Sequence, residues 1–205
     1  MYEFVNPKIC SVLRTECEEI LLGVQKELKE FFTFQFYLIG SGEKALVTRN
    51  GEKAPFDLDY NLIIMRDKKE LINDPKAIKE LFLQAFNKVN HKYRFSFAKN
   101  STSVITVRSF LDDVSFSFDC AIMYEGNNGN MYKIVYDKPD RYIWNEVKHT
   151  KEFNAKFKYV RSQLGITEIK ALYLEKKNRY LRMQKNLSSF SILSETINEL
   201  LQKIK

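Results

Sequence analysis

Asp57-Leu58-Asp59 places two carboxylates two residues apart, just before an apolar run from Leu62 to Met65. Residues i and i+2 of an extended strand point to the same face, so the two carboxylates emerge together. Such a pair suits a hard divalent cation. Mg²⁺ takes oxygen ligands, usually one or two carboxylates with water and substrate phosphate supplying the rest. Two like charges roughly 5 Å apart repel by about 3 kcal/mol at an effective dielectric near 20. Without a cation, one of the pair is therefore expected to hold a proton.

Upstream, the apolar run Phe36-Tyr37-Leu38-Ile39 ends in Gly40-Ser41-Gly42. These glycines allow a tight turn and a close approach of backbone to ligand. Their N–H groups and the Ser41 hydroxyl could hold phosphate oxygens, the more so if a short helix starts at Glu43 and runs to Thr48. Lys44, Arg49 and Lys53 lie between the two motifs. Each could reach a triphosphate, although long charged side chains ordinarily stay in water. Taken singly, Asp-x-Asp and Gly-Ser-Gly are common patterns of turns and solvated strand ends. Together, at successive strand ends and in this order, they describe one candidate site.

Gly40-Ser41 followed by Asp57-Leu58-Asp59 on the next strand resembles the signature of the polymerase-β-like nucleotidyltransferase superfamily, over about Asn6 to Glu125. That signature is a strand ending in Gly-Ser, a short helix, a strand carrying Asp-x-Asp, and a third carboxylate on a later strand. The third position falls on Asp119 in Val114-Ser-Phe-Ser-Phe-Asp-Cys-Ala-Ile-Met123. One departure is the long gap between Ser41 and Asp57. Members that modify RNA ends or make oligonucleotides and cyclic nucleotides tolerate such gaps, whereas the small drug-modifying members are tighter. The resemblance implies a Mg²⁺-dependent transferase that uses two ions, with Mn²⁺ as a possible substitute. Asp57, Asp59 and Asp119 would be the metal-binding and catalytic residues. Gly40, Ser41, Gly42, Lys44 and Arg49 would bind the nucleoside triphosphate, ATP or another.

The elements that must position these groups follow from periodicity. Asn6-Pro7 can cap a helix. Ile9, Val12, Leu13, Ile20, Leu21, Val24, Leu28 and Phe31 then recur mostly at three- and four-residue steps, as on an amphipathic helix packed on a sheet. Asp74-Pro75 begins a second such helix, with Ile78, Leu81, Phe82, Ala85, Phe86 and Val89 on its apolar side. Strands are expected at 34–39, 57–65, 93–98, 101–111, 114–124 and 131–136, with turns at 50–51, 99–101 and 112–113. In the strand at 114–124, Phe116, Phe118, Cys120 and Ile122 share one face. Ser115, Ser117, Asp119, Ala121 and Met123 share the other, so Asp119 sits on the small, polar side that a metal-facing carboxylate needs. Asp112 and Asp113 are its rivals, but a hairpin tip faces water.

Asp137-Lys-Pro-Asp140 reads as a break in the sheet, followed by an irregular helix over 141–150 anchored by Trp144 and helices at 151–164, 167–184 and 188–205. The expected fold is therefore α+β: a mixed or antiparallel sheet of about five strands flanked by helices, the nucleotidyltransferase fold, with a C-terminal helical unit. The expected domains are 1–138, catalytic, and 139–205, helical and packed on it. In the helical part, Phe153, Phe157, Tyr159, Tyr173 and Tyr180 interleave with Lys148 to Lys185 cations. They could stack a base beside phosphate-binding lysines, or they could simply pack the helices and solvate their outer face.

The chain has 205 residues, with a formal charge of +7 and pI about 9.1. It is long enough for one domain with a core plus a small appendage. A basic balance favours anionic partners such as nucleotide or RNA, though a generic basic surface has the same composition. Cys10, Cys17 and Cys120 are odd in number with no paired spacing, which reads as buried thiols in a reducing compartment. The N-terminus has no signal-peptide pattern and no apolar run approaches ~18 residues, so a cytoplasmic protein without a membrane span is expected. Oligomeric state and acceptor (RNA end, nucleotide or small molecule) are not legible. The alternatives to an enzyme are a non-catalytic nucleotide- or RNA-binding module on the same fold, or a protein-interaction partner.

Overall fold

The computed structural model describes residues 1–93, 95–111, 114–139, 141–147 and 151–204. The chain divides into two compact units, one of Val5–Val47 and Lys53–Val147, the other of Met1–Phe4, Thr48–Glu52 and Lys148–Lys205. The smaller unit contains β1 (Tyr2–Phe4), and the larger opens with α1 (Pro7–Leu28). The Asn6 side chain accepts from the Lys8 N–H, with Pro7 in the first turn, and Leu13, Cys17, Ile20, Leu21, Val24 and Leu28 form the buried face of α1. Next come β2 (Phe32–Ile39) and the single turn α2 (Gly40–Glu43). After β3 (Thr48–Asn50) of the smaller unit, the larger resumes with β4 (Phe56–Asp67), a 3₁₀ turn at Leu71–Asn73 and α3 (Pro75–Asn90). The Asp74 side chain caps α3 by accepting from the Ala77 N–H. Then follow β5 (Lys99–Asn100), β6 (Ile105–Leu111), β7 (Val114–Glu125), β8 (Met131–Lys138) and β9 (Arg141–Glu146).

Among the described residues the larger unit has one seven-stranded sheet in which β2, β4, β7, β6 and β5 are successive neighbours, and β8 joins β7 to β9. The β4–β7 pair is parallel and the other pairs are antiparallel, so the sheet is mixed. Period-two alternation divides its two faces. Phe56, Leu58, Tyr60, Leu62 and Ile64 of β4, with Phe116, Phe118, Cys120 and Ile122 of β7, are buried in the core that also holds the apolar sides of α1 and α3. Asp57, Asp59, Asn61, Ser117 and Asp119 lie on the opposite, more open face.

Several local expectations are corrected. The helical turn occupies 40–43 rather than 43–48, because the Lys44 N–H already closes on Gly40 O and Ala45 turns left-handed at φ 56°. Among the described residues of 93–98 no strand forms, apart from a bridge between Phe95 and Ser109. The Ser96 N–H still donates to Arg108 O of β6, but the next groups turn to side chains of α3: Asn87 Oδ1 accepts from the Ala98 N–H, and Asn90 Nδ2 donates to Ser96 O. Residues 99–100, expected in a turn, pair with β6, which itself begins only at Ile105. Finally, 141–146 is a strand and not a helix. The expected break at 137–140 is not found at 137–138, since β8 runs on through Lys138, which stands opposite Arg141 of β9. The aromatic and β-branched run Tyr142-Ile143-Trp144 suits a strand, and Trp144 Nε1 donates to Ile72 O at 2.7 Å. The expected turn at 112–113 lies outside the described residues.

In the smaller unit, β1 pairs antiparallel with β3. It also contains α4 (Lys151–Arg182), kinked at Gly165, and α5 (Ser189–Ile204). Here several of the interleaved aromatics pack. Tyr173 and Phe157 are buried, Lys177 Nζ lies 4.2 Å from the Tyr2 ring centroid, and Tyr180 donates to Glu195 Oε2 at 2.6 Å. The buried Lys176 bonds Glu195 and Glu199. Packing thus engages these side chains, while Tyr159 remains exposed. No helix among the described residues is long and apolar enough to cross a membrane.

Candidate active site

Sheet register gathers the carboxylates. Asp59 on β4 stands directly beside Asp119 on β7, and Asp57 stands beside Ser117 one step along the same face. On the other side of β4, Asp59 pairs with Ile39, the last residue of β2. The Gly-Ser-Gly turn therefore begins next to Asp59. Gly40 has φ +64°, and a Cβ built there would stand 3.2 Å from Asp59 Oδ2. A Cβ at Gly42 would meet Leu38 and Leu58 side chains at 2.8 and 3.0 Å. Both glycines keep this bend closed against the strand. The first N–H groups of any helical turn lack intrahelical partners, and here they belong to Gly40, Ser41 and Gly42.

The electrostatics match three carboxylates on one face. Burial, then Asp57, then Asp119 push Asp59 up to about 6 from an ordinary carboxylate value. Thr106 on β6 is the register partner of Asp119 on the far side, and its Oγ1 donates to Asp119 Oδ1 at 2.6 Å. Among the described residues no group of three or more His, Cys, Asp or Glu side chains forms a ready-made metal cage. Mg²⁺ does not require one, since phosphate and water ordinarily fill most of its octahedron. The donor set is hard oxygen, and the absent Cβ at Gly40 leaves room beside Asp59 Oδ2. These residues therefore fit Mg²⁺ or Mn²⁺.

Other candidates are placed differently. Lys44 is half-buried, with Nζ 2.7 Å from Glu43 Oε2. Arg49 belongs to the smaller unit, where Nε donates to Glu3 Oε1 at 2.8 Å. Lys53 is exposed. Asn61 lies on the carboxylate face between Tyr37 and Ala121. Thr106 escaped the sequence reading. The signal was present: the expected hairpin puts Leu111 opposite Val114, and counting back along both strands puts Thr106 opposite Asp119, as the register shows.

Gly40→Ala tests the bend. A left-handed non-glycine residue costs about 1–2 kcal/mol, and the new methyl crowds Asp59. Gly129, at φ +76° with nothing within 4 Å of a built Cβ, is the control. Both Ala variants are expected to melt earlier, but only Gly40→Ala to lose Mg²⁺-dependent turnover. Equal turnover in the two would remove Gly40 from the site.

No protein-family model and no curated protein matches the sequence. Solved structures do match the fold. Vibrio cholerae DncV cyclic AMP-GMP synthase, in complex with a linear intermediate, superposes with a TM-score of 0.71 at 11% identity, over 96% of this chain and 67% of that one. The STING-associated CdnE c-di-GMP synthase from Capnocytophaga granulosa gives 0.65 at 16% identity, over 96% and 61%. Bradyrhizobium diazoefficiens CdnG in complex with GTP gives 0.53 at 13% identity, over 90% and 49%. The chain spans about two thirds of the length of the first and about half that of the last. At these identities the likeness is one of fold: the α+β nucleotidyltransferase fold, a mixed sheet flanked by helices with a C-terminal helical unit.

Proposed function

We propose that the chain is a nucleotidyltransferase that moves a nucleoside monophosphate from a nucleoside triphosphate to an acceptor hydroxyl, releasing pyrophosphate. The observation that carries this reading is the row Ile39–Asp59–Asp119, with Asp57 on the same face and the Gly40–Gly42 bend at its end. Ser41 and the neighbouring amides bind the β- and γ-phosphates. Lys44 at the end of the turn adds a cation. Asp57 and Asp59 stand between the phosphates and Asp119, which faces the acceptor. Asp57, Asp59 and Asp119 would hold two Mg²⁺ ions, which when bound lower the pKa of the attacking hydroxyl and neutralise the departing charge. The chain's own share is orientation, holding the acceptor oxygen in line with the scissile P–O bond.

The acceptor we infer is the hydroxyl of a second nucleotide. The structures sharing this fold include a cyclic AMP-GMP synthase and a c-di-GMP synthase, and the +7 chain favours anionic substrates. Incubation with each labelled triphosphate, singly and in pairs, with Mg²⁺ or Mn²⁺ and with or without RNA, followed by mass spectrometry, tests both parts. Pyrophosphate with a dinucleotide product is expected. Extended RNA would keep the transferase and replace the acceptor. Calorimetric triphosphate binding with no product would make the chain a binding module. No binding at all, with a co-purifying protein, would make it an interaction partner.

A further inference from the structure

We propose that Thr106 is a positioning residue for Asp119, fixing which carboxylate oxygen is offered to the reaction centre. The inference rests on the nucleotidyltransferase reading above. Thr106 Oγ1 donates to Asp119 Oδ1 at 2.6 Å across the β6–β7 pair. A hydroxyl carries one proton, and this one is committed to Asp119. Ser101 Oγ, 3.3 Å from Thr106 Oγ1, is then the donor in that contact. Ser101 is itself held by its N–H bond to Val104 O at 3.0 Å. The result is a relay from Ser101 through Thr106 to Oδ1.

The consequence lies in the other oxygen. A free Asp carboxylate turns easily about χ2, whose wells are broad and two-fold. Beside the carboxylates of Asp59 and Asp57, repulsion favours turning away. A hydrogen bond to a charged acceptor is strong, and threonine is stiff at χ1. Thr106 therefore resists that rotation. With Oδ1 engaged, Oδ2 is left to share a cation with Asp59, the register partner on the opposite side of Asp119 from Thr106.

The test uses the full chain. Thr106→Val keeps the branched shape and removes the proton; Thr106→Ser keeps the proton; Thr106→Ala is the second deletion should valine disturb folding, which thermal melting checks. Mn²⁺ affinity is read by calorimetry without triphosphate, and turnover by pyrophosphate release. Thr106→Val is expected to weaken Mn²⁺ binding about 10–100-fold and lower kcat, with triphosphate KM changed less than about twofold and Thr106→Ser within about threefold of native. Native Mn²⁺ affinity in Thr106→Val and Thr106→Ala overturns the proposal. If the affinity difference is found but the native chain makes no product, the transferase reading fails and the positioning role stands. If the native chain binds Mn²⁺ only with triphosphate, the variants are compared with triphosphate present; if it binds none in either case, both fall.

Discussion

Asp59→Asn is expected to abolish nucleotidyl transfer while making the metal-free protein more stable at neutral pH. Asp59 is the centre of the row, with Asp119 beside it on one strand and Ile39 on the other. Loss of a carboxylate that holds an ion removes several kcal/mol of transition-state stabilisation, so turnover should fall by about a thousand-fold or more. The stability change has the opposite sign. Asp59 is held at about 6 in the fold against an ordinary 3.8, by burial first and then by Asp57 and Asp119. A carboxylate raised in the folded state destabilises it above the folded pKa, and the penalty disappears below the unfolded one. Native stability should therefore rise as pH falls from 6 towards 4, and Asp59→Asn should flatten that part of the curve. Partial exposure reduces the full linkage value, leaving a gain of about 1–2 kcal/mol at pH 7. Urea titrations at pH 4 and pH 7 with a chelator present, beside turnover with Mg²⁺, measure both effects. Retained turnover would remove Asp59 from the catalytic row.

Lys79→Met is expected to give the larger gain in stability, with no loss of transfer. Lys79 lies on the core side of α3, 1% exposed, and its Nζ has no hydrogen-bond partner among the described residues. Burial lowers its pKa to about 8; Cys120 opposes that shift and Lys133 adds to it. The unfolded chain binds the proton up to about 10.5 and the folded one only up to about 8. The penalty is therefore complete below pH 8, shrinks as pH rises and is gone above 10.5. Methionine has similar length, packs as a flexible apolar chain and needs no partner. A gain of about 2–3 kcal/mol at pH 7 is expected, narrowing towards pH 10. Chemical denaturation at pH 7 and pH 10 checks this. A variant less stable than native at pH 7 would mean that the Lys79 ammonium is held by a compensating partner.

Both predictions concern groups whose importance was unequally visible in the sequence. Asp57 and Asp59 announced themselves, because spacing of two on a strand needs no tertiary information to put two carboxylates on one face. The caps at Asn6 and Asp74 and the burial of Phe116, Phe118, Cys120 and Ile122 were equally local. Lys79 was not visible. Helical spacing puts it at the edge of the apolar stripe, three residues before Phe82 and seven before Phe86, where a lysine ordinarily snorkels to water; only the packing of α3 buries its Nζ. The stretch 93–98 misled for a related reason. Its alternation suited a strand, but beyond the Ser96 N–H bond to Arg108 O, Asn87 and Asn90 engage Ala98 N–H and Ser96 O. At 141–146, aromatic residues that could anchor a helix instead extended the sheet beside β8.

The sequence by itself determined the two ends of the site, the Gly40–Gly42 bend and the Asp57/Asp59 pair, because turn chemistry and strand alternation act within a few residues. Only the tertiary structure decided that Asp59 adjoins Asp119, sixty positions later, that Ile39 brings the bend to Asp59, and that Thr106 bonds Asp119 from the other flank. The physical reason is register. A one-residue slip of a strand would carry its side chains to the opposite face, and what holds these strands in place is the packing of the core beneath them.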